Sequence, residues 1–223
     1  MKVRLFSEVE MERAGWKRDE GDVVFYNPAL GAIVRVAMCN DEGTPLWDQF
    51  LHMEPVGAIT VPVNSNGDLG FVVQQRPTIS SSELYIYPNL ESEERKSEIV
   101  RVLDIVGTPS LELPRGFPLK GEAPEQTAKR EADQELDSPI LEVQRIGEVV
   151  PNTAFNPHRI PVFLAKVNEK FDGEYPPDVN EKILKVEWND PRSVKRMIAG
   201  EEMFCGMSLA ALSFYFSRQL GGI

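Results

Sequence analysis

Residues 116–138 read GFPLKGEAPEQTAKREADQELDS and are preceded by Leu111-Glu112-Leu113-Pro114-Arg115. The spacing carries the information: Gly116, five residues, Glu122, seven residues, then Arg130-Glu131 and a further pair, Gln134-Glu135. Glycines at 116 and 121 make the first part a loop whose backbone can approach a ligand closely. Pro124 suits the first turn of a helix, where its missing N–H costs nothing. The run Glu125 to Leu136 has no interior Gly or Pro and predicts a helix, which Pro139 ends near Ser138.

On that helix Ala128, Ala132 and Leu136 recur every fourth residue and form an apolar stripe suited to packing on a sheet. Glu131 and Glu135, also four apart, lie on the shoulder of the stripe, so their carboxylates converge. Two such carboxylates at the rim of a core repel one another, and a hard divalent ion with oxygen ligands relieves the repulsion. Arg130 is expected to point away from them and to hold Glu122 in a bidentate pair, fixing the loop to the helix. Asp133 and Asp137 read as solvated surface acids. A lone pair of glutamates four apart is ordinarily a solvated helix face; the glycine loop, Glu122 and Arg130-Glu131 make this stretch different.

These residues resemble the Nudix box, and the chain is similar to Nudix hydrolases of the ADP-ribose pyrophosphatase type over about Val56 to Leu220. Val56–Val63, a turn at Asn64–Gly67, and Leu69–Val73 running into Gln74-Gln75-Arg76 resemble that group's paired strands. Ile146–Pro151, Ile160–Ala165, Ile183–Trp188 and Met207–Leu220 are similar to its later strands and closing helix. The resemblance implies a Nudix α/β/α sandwich with a mixed sheet and an N-terminal β-rich extension. It divides the chain into residues 1–55, the extension, and residues 56–223, the hydrolase domain.

The resemblance also implies a site. Its metal ligands would be Glu131, Glu135, Gln134 and the main-chain carbonyl of Arg115, holding Mg²⁺ or Mn²⁺. Gln134 departs from the family's usual glutamate and brings an amide oxygen without charge. Asp137-Ser138 replaces the usual Gly and hydrophobic residue. Gly116, Glu122 and Arg130 would support the site, and Arg76, Arg115 and Phe155 would bind substrate. For the general base the resemblance points to an acid in the loop 168–180 or just after it, with Glu181, Glu174 and Asp178 as candidates and Glu131 as the alternative. Phe155, Tyr85, Tyr87 and Trp47 are candidates to stack on a base, and His158 could touch substrate from its loop.

The implied activity is Mg²⁺-dependent hydrolysis of the diphosphate of a nucleoside diphosphate linked to a sugar, ADP-ribose first, giving AMP and ribose 5-phosphate. The alternatives are another nucleotide sugar or a dinucleotide, and a Nudix-like nucleotide-binding module that has lost turnover.

Composition sets outer bounds. At 223 residues, 42% hydrophobic and 26% charged, the chain can bury a substantial core. A net charge of −11 argues against a nucleic-acid surface, so the expected partner is a small nucleotide. Cys39 and Cys205 lack the spacing of a zinc site or disulfide framework and read as small buried hydrophobes. With no signal-like or membrane-length apolar run, the expectation is a cytoplasmic protein with no membrane partner.

In the first fifty-odd residues, Val23–Tyr26 and Ala32–Ala37 read as strands and Glu8–Lys17 as a short helix. The resemblance implies that this part joins a second subunit in a homodimer; an intramolecular sheet extension is the equal alternative. Between Arg76 and the box, Leu84–Tyr87 is strand-like and Leu90–Val106 predicts a helix.

Overall fold

The computed structural model describes residues 2–4, 7, 9, 23–27, 31–79, 105–167 and 183–221. Four strands form the N-terminal sheet: β1 (Lys2–Arg4), β2 (Val23–Asn27), β3 (Gly31–Cys39) and β4 (Pro45–Met53). All pair antiparallel with β3, β4 along one edge, β1 and β2 sharing the other. The sequence pattern anticipates β2 and β3 but neither β1 nor β4.

The second sheet holds β5 (Ala58–Val63), β6 (Leu69–Ile79), β7 (Ile105–Glu112), β8 (Arg115–Gly116), β9 (Ile140–Val149), β10 (Ile160–Val167) and β11 (Ile183–Asn189). Its order is β11-β6-β5-β10-β9, with β7 on β6 and β8 on β5. β5 and β10 run parallel and the other pairs antiparallel, so the sheet is mixed. The hairpin between β5 and β6 closes as expected at Asn64–Gly67. There the Asn64 side chain accepts from the backbone N–H groups of Asn66 (3.1 Å) and Asp68 (2.7 Å).

Helices α1 (Pro124–Leu136), α2 (Pro191–Ala199) and α3 (Gly206–Gly221) cover the two faces of this sheet. Alternation along the strands sorts the core. Ala58, Val72, Phe163 and Ala165 face α1, where Ala128, Ala132 and Leu136 are buried. Ile59, Val61, Phe71 and Val162 face the opposite layer of Val194, Ala211, Leu212 and Tyr215. Strands covered on both sides read as continuous apolar runs, as Val56–Val63 and Ile160–Ala165 do. Burying a side chain such as Phe71 or Phe163 contributes about 1.5–3 kcal/mol, and both are fully buried. The architecture is an α/β/α sandwich around a mixed sheet with an N-terminal β-rich extension, the arrangement the resemblance implies.

Three details differ from the sequence reading. Ile105 and Val106 belong to β7, where Val106 pairs with Thr78, so the helix expected over Leu90–Val106 does not include them; Leu90–Asp104 lie outside the described residues. Helix α2 was not anticipated; Asp190 caps it by accepting from the N–H groups of Arg192 and Ser193. Asp133 is not a solvated acid: it accepts from the Ile140 N–H at 2.5 Å and pins the start of β9 to the helix. Burial raises its carboxyl above the ordinary value despite that bond. The stretches 10–20, 84–87 and 168–182 lie outside the described residues, and with them most of the helix expected at Glu8–Lys17 and the strand at Leu84–Tyr87.

Candidate active site

α1 begins at Pro124 after Ala123, whose N–H donates to the Gln126 side chain at 2.8 Å. It ends at Asp137 in left-handed geometry, φ 49°; Asp tolerates this better than most residues. Arg130 forks onto Glu122, Nε to Oε1 and Nη2 to Oε2, both at 2.9 Å. The same Nη2 donates to the Phe117 carbonyl at 2.9 Å. Glu122 also accepts from the Leu119 N–H at 2.8 Å and the Thr127 hydroxyl at 3.1 Å. The hydrogen bonds from Arg130 and then from Leu119 hold the Glu122 carboxyl down at about 2. One carboxylate thereby ties the glycine loop to the helix.

Arg130 does more than the sequence reading gives it. Its Nη1 donates to Glu131 Oε1 at 2.7 Å and to Gln134 Oε1 at 3.2 Å. It therefore reaches the carboxylate it was expected to point away from.

Glu131, Gln134 and Glu135 line one wall of a cavity of about 770 Å³ at the ends of β5 and β8. Glu135 is buried to 5% exposure, and the Glu131 side chain keeps 14%. Gly116 crosses directly over Glu131: a β-carbon there would lie 2.1 Å from its carboxyl carbon. The residues before the loop and the helix after it are both tied to their neighbours. The Thr60 N–H donates to the Pro114 carbonyl (2.9 Å) and the Thr60 hydroxyl to the Ala128 carbonyl (3.0 Å). The Leu113 N–H donates to the Ser208 hydroxyl at 3.0 Å.

The donor set is all oxygen: two carboxylates and one amide facing a cavity with room for water and phosphate. That chemistry fits a hard divalent ion. Among the described residues no three His, Cys, Asp or Glu side chains come together as a ready-made metal centre.

Arg76 and Arg115 also line the cavity. Both lean on Glu112, which is 3% exposed. Arg76 approaches it through Nε (3.2 and 3.3 Å) and Nη2 (3.1 Å), and Arg115 through Nη2 (3.0 Å). Burial alone would push the Glu112 carboxyl up; the Arg76 hydrogen bond and the Arg115 charge outweigh it and hold it below its ordinary value. The sequence reading quotes Glu112 without assigning it a role. Its signal is an acid flanked by Leu111 and Leu113, in a strand directly before the glycine loop.

Other expected residues fall elsewhere. Phe155 is not among the described residues lining the cavity; its ring stacks on His52 at 5.8 Å. Trp47 stands exposed on β4. His158 Nε2 accepts from the Glu54 N–H at 3.1 Å and so joins the loop after β9 to the end of β4. Tyr85, Tyr87, Glu174, Asp178 and Glu181 lie outside the described residues. Two residues that sequence reasoning missed do face the cavity. Glu54 lines it from the segment that follows β4, and Phe117 is its aromatic among the described residues, 45% exposed. Cys39 is buried and Cys205 partly so, both as free thiols. No described helix is long and apolar enough to cross a membrane.

No curated protein sequence matches the chain. Among solved structures it is similar to one described as "Crystal structure of ADP compounds hydrolase", with a TM-score of 0.60 at 11% identity, covering 100% of this chain and 94% of the other. At that identity the likeness speaks for the fold alone. The NUDIX domain model matches residues 92–204, just over half of the chain and including the whole glycine loop and α1. The chain therefore belongs to the NUDIX family and is a hydrolase acting on pyrophosphate bonds.

Proposed function

We propose that this hydrolase cleaves the diphosphate of a nucleoside diphosphate linked to a sugar, with ADP-ribose as the first candidate, and that it does so with Mg²⁺ or Mn²⁺. One observation carries the reading: in a single cavity the Glu131 and Glu135 carboxylates share the walls with the Arg76 and Arg115 guanidiniums. Arginines hold phosphate oxygens, and the acids suit a cation that neutralises what the arginines leave. Enzymes of this family generally use divalent metal ions. Such an ion, held by Glu131, Glu135, the Gln134 amide oxygen and the Arg115 carbonyl, would supply Lewis acidity toward the diphosphate.

The chain's own residues do the rest. Arg76 and Arg115 orient the diphosphate, so that little covalent work is left to the protein. Glu181, or else Glu174 or Asp178, takes the proton of the attacking water, with Glu131 as the alternative where fewer metal ions bind. Arg130 steadies Glu131 through its 2.7 Å contact. Phe117 offers its exposed ring to the base, taking the part expected of Phe155. Residues 1–55 form an extension that meets a second copy of the chain, in keeping with the exposure of Leu46, Trp47 and Phe50 on β4.

A second reading has one observation in its favour. Arg130 contacts both Glu131 and Gln134, two of the supposed metal ligands, and a cation in that place suits a nucleotide-binding module without turnover. Assays of ADP-ribose, nucleotide sugars, dinucleotides and nucleoside triphosphates, each with and without Mg²⁺, separate the two. Metal-dependent release from ADP-ribose supports the hydrolase reading. Nucleotide binding by calorimetry without release from any of these compounds favours the module.

A further inference from the structure

The Arg76–Glu112–Arg115 arrangement places a carboxylate behind two cavity-lining guanidiniums. Glu112 on β7 is opposite Val72 and Arg76 on β6 is opposite Thr108, so both side chains leave the sheet on the same face and the arginine folds back along it. Arg115 opens β8, three residues after Glu112. Glu112 is 3% exposed and does not line the cavity. The Arg76 and Arg115 side chains keep 33% and 22% exposure and do line it. The carboxylate thus stands behind the pair, out of reach of a bound substrate. Among the described residues the other contact of the Arg115 guanidinium is the Met207 sulfur, at 3.4 Å from Nη1.

We infer that Glu112 is a positioning residue: it aims Arg76 and Arg115 at one diphosphate, at some expense of the clamp's affinity for it. The inference rests on the proposed diphosphate chemistry and goes beyond it. A buried carboxylate opposes an anionic ligand, so its purpose is not tighter binding. What it supplies is a fixed direction for two long side chains that would otherwise sample many rotamers. Contacts that hold ground state and transition state equally do not raise turnover, whereas misplacement by an ångström lowers it.

The test compares wild type, Glu112→Gln, Glu112→Asp and Arg115→Ala. It measures kcat on the best substrate and the dissociation constant of inorganic pyrophosphate, by calorimetry with metal chelated. Glu112→Gln is expected to lower kcat by about tenfold or more, while pyrophosphate binds as tightly as to wild type or more so. Glu112→Asp keeps the charge but shortens its reach, so it too loses kcat with unchanged pyrophosphate affinity. Arg115→Ala weakens pyrophosphate binding. Wild-type kcat in Glu112→Gln overturns the inference, as does a loss of pyrophosphate affinity in step with kcat, the mark of damaged folding. If the wild type hydrolyses nothing, the functional reading fails separately. Calorimetry then still decides, because weaker pyrophosphate binding in Glu112→Gln, or unchanged binding in Arg115→Ala, would overturn the clamp.

Discussion

Gly116 passes so close to Glu131 that a β-carbon on the glycine would lie 2.1 Å from the carboxyl carbon and 2.2 and 2.4 Å from its oxygens. Gly116 is not in the left-handed region, so close approach alone demands glycine here. The obstacle is the tip of a flexible side chain, which can swing aside without disturbing the core. Gly116→Ala is therefore expected to keep its melting temperature to within about 4 °C and to lose about tenfold to a hundredfold in kcat. Unimpaired kcat alongside a retained fold would mean that the position of Glu131 does not matter to the chemistry.

On the proposed reading, Glu135→Gln should remove most metal-dependent turnover, by about a hundredfold or more, because it would make a charged ligand for the divalent ion neutral. Kinetics near those of wild type would remove Glu135 from the ligand set.

Gln134→Glu runs the other way. Gln134 lines the same cavity wall, and a third negative charge there should lower the metal concentration for half-activation by about tenfold. An unchanged activation curve would show that residue 134 contributes no oxygen to the ion.

The Glu122–Arg130 fork makes a pH prediction. The Glu122 carboxyl sits at about 2 in the fold against an ordinary 4.5. The folded state thus binds fewer protons there than the unfolded chain. The stabilisation is complete above about pH 4.5 and is lost as pH falls toward about 2. Wild type should melt above Glu122→Gln at neutral pH, and the gap should close between about pH 5 and pH 2. A gap that stays constant across that range would show that the pair does not titrate as the geometry requires.

Phe117→Ala tests base recognition. Stacking on a base contributes about 1–3 kcal/mol, so KM should rise by about tenfold with kcat retained. An unaltered KM would return the aromatic role to residues beyond the cavity walls described.

The box and its surroundings are legible in the sequence because their constraints are local. The i,i+4 spacing of Ala128, Ala132 and Leu136 sets the buried stripe of α1, and Glu131 and Glu135 follow on its shoulder by helical geometry. Gly121 and Pro124 mark the loop and the helix start, and Asn64–Gly67 closes its hairpin through its own side chain. What escaped the sequence depends on pairing between distant segments. β7 is a strand because β6 runs beside it; its first residues, Ile105 and Val106, also fit a helical period, and periodicity over so short a run cannot choose. Asp133 looked like any exposed helix acid until β9 brought the Ile140 N–H against it.

By itself, then, the sequence determined the box helix with its buried stripe and the fork between Glu122 and Arg130, since each follows from spacing along the chain, and through the resemblance that spacing carries it pointed to the family and the sandwich. Only the tertiary structure decided that Glu112 stands behind Arg76 and Arg115, that Phe117 and not Phe155 faces the cavity, and that Glu54 lines it from the segment after β4. A contact between residues from separate strands depends on register and layer packing, and no spacing along the chain encodes those.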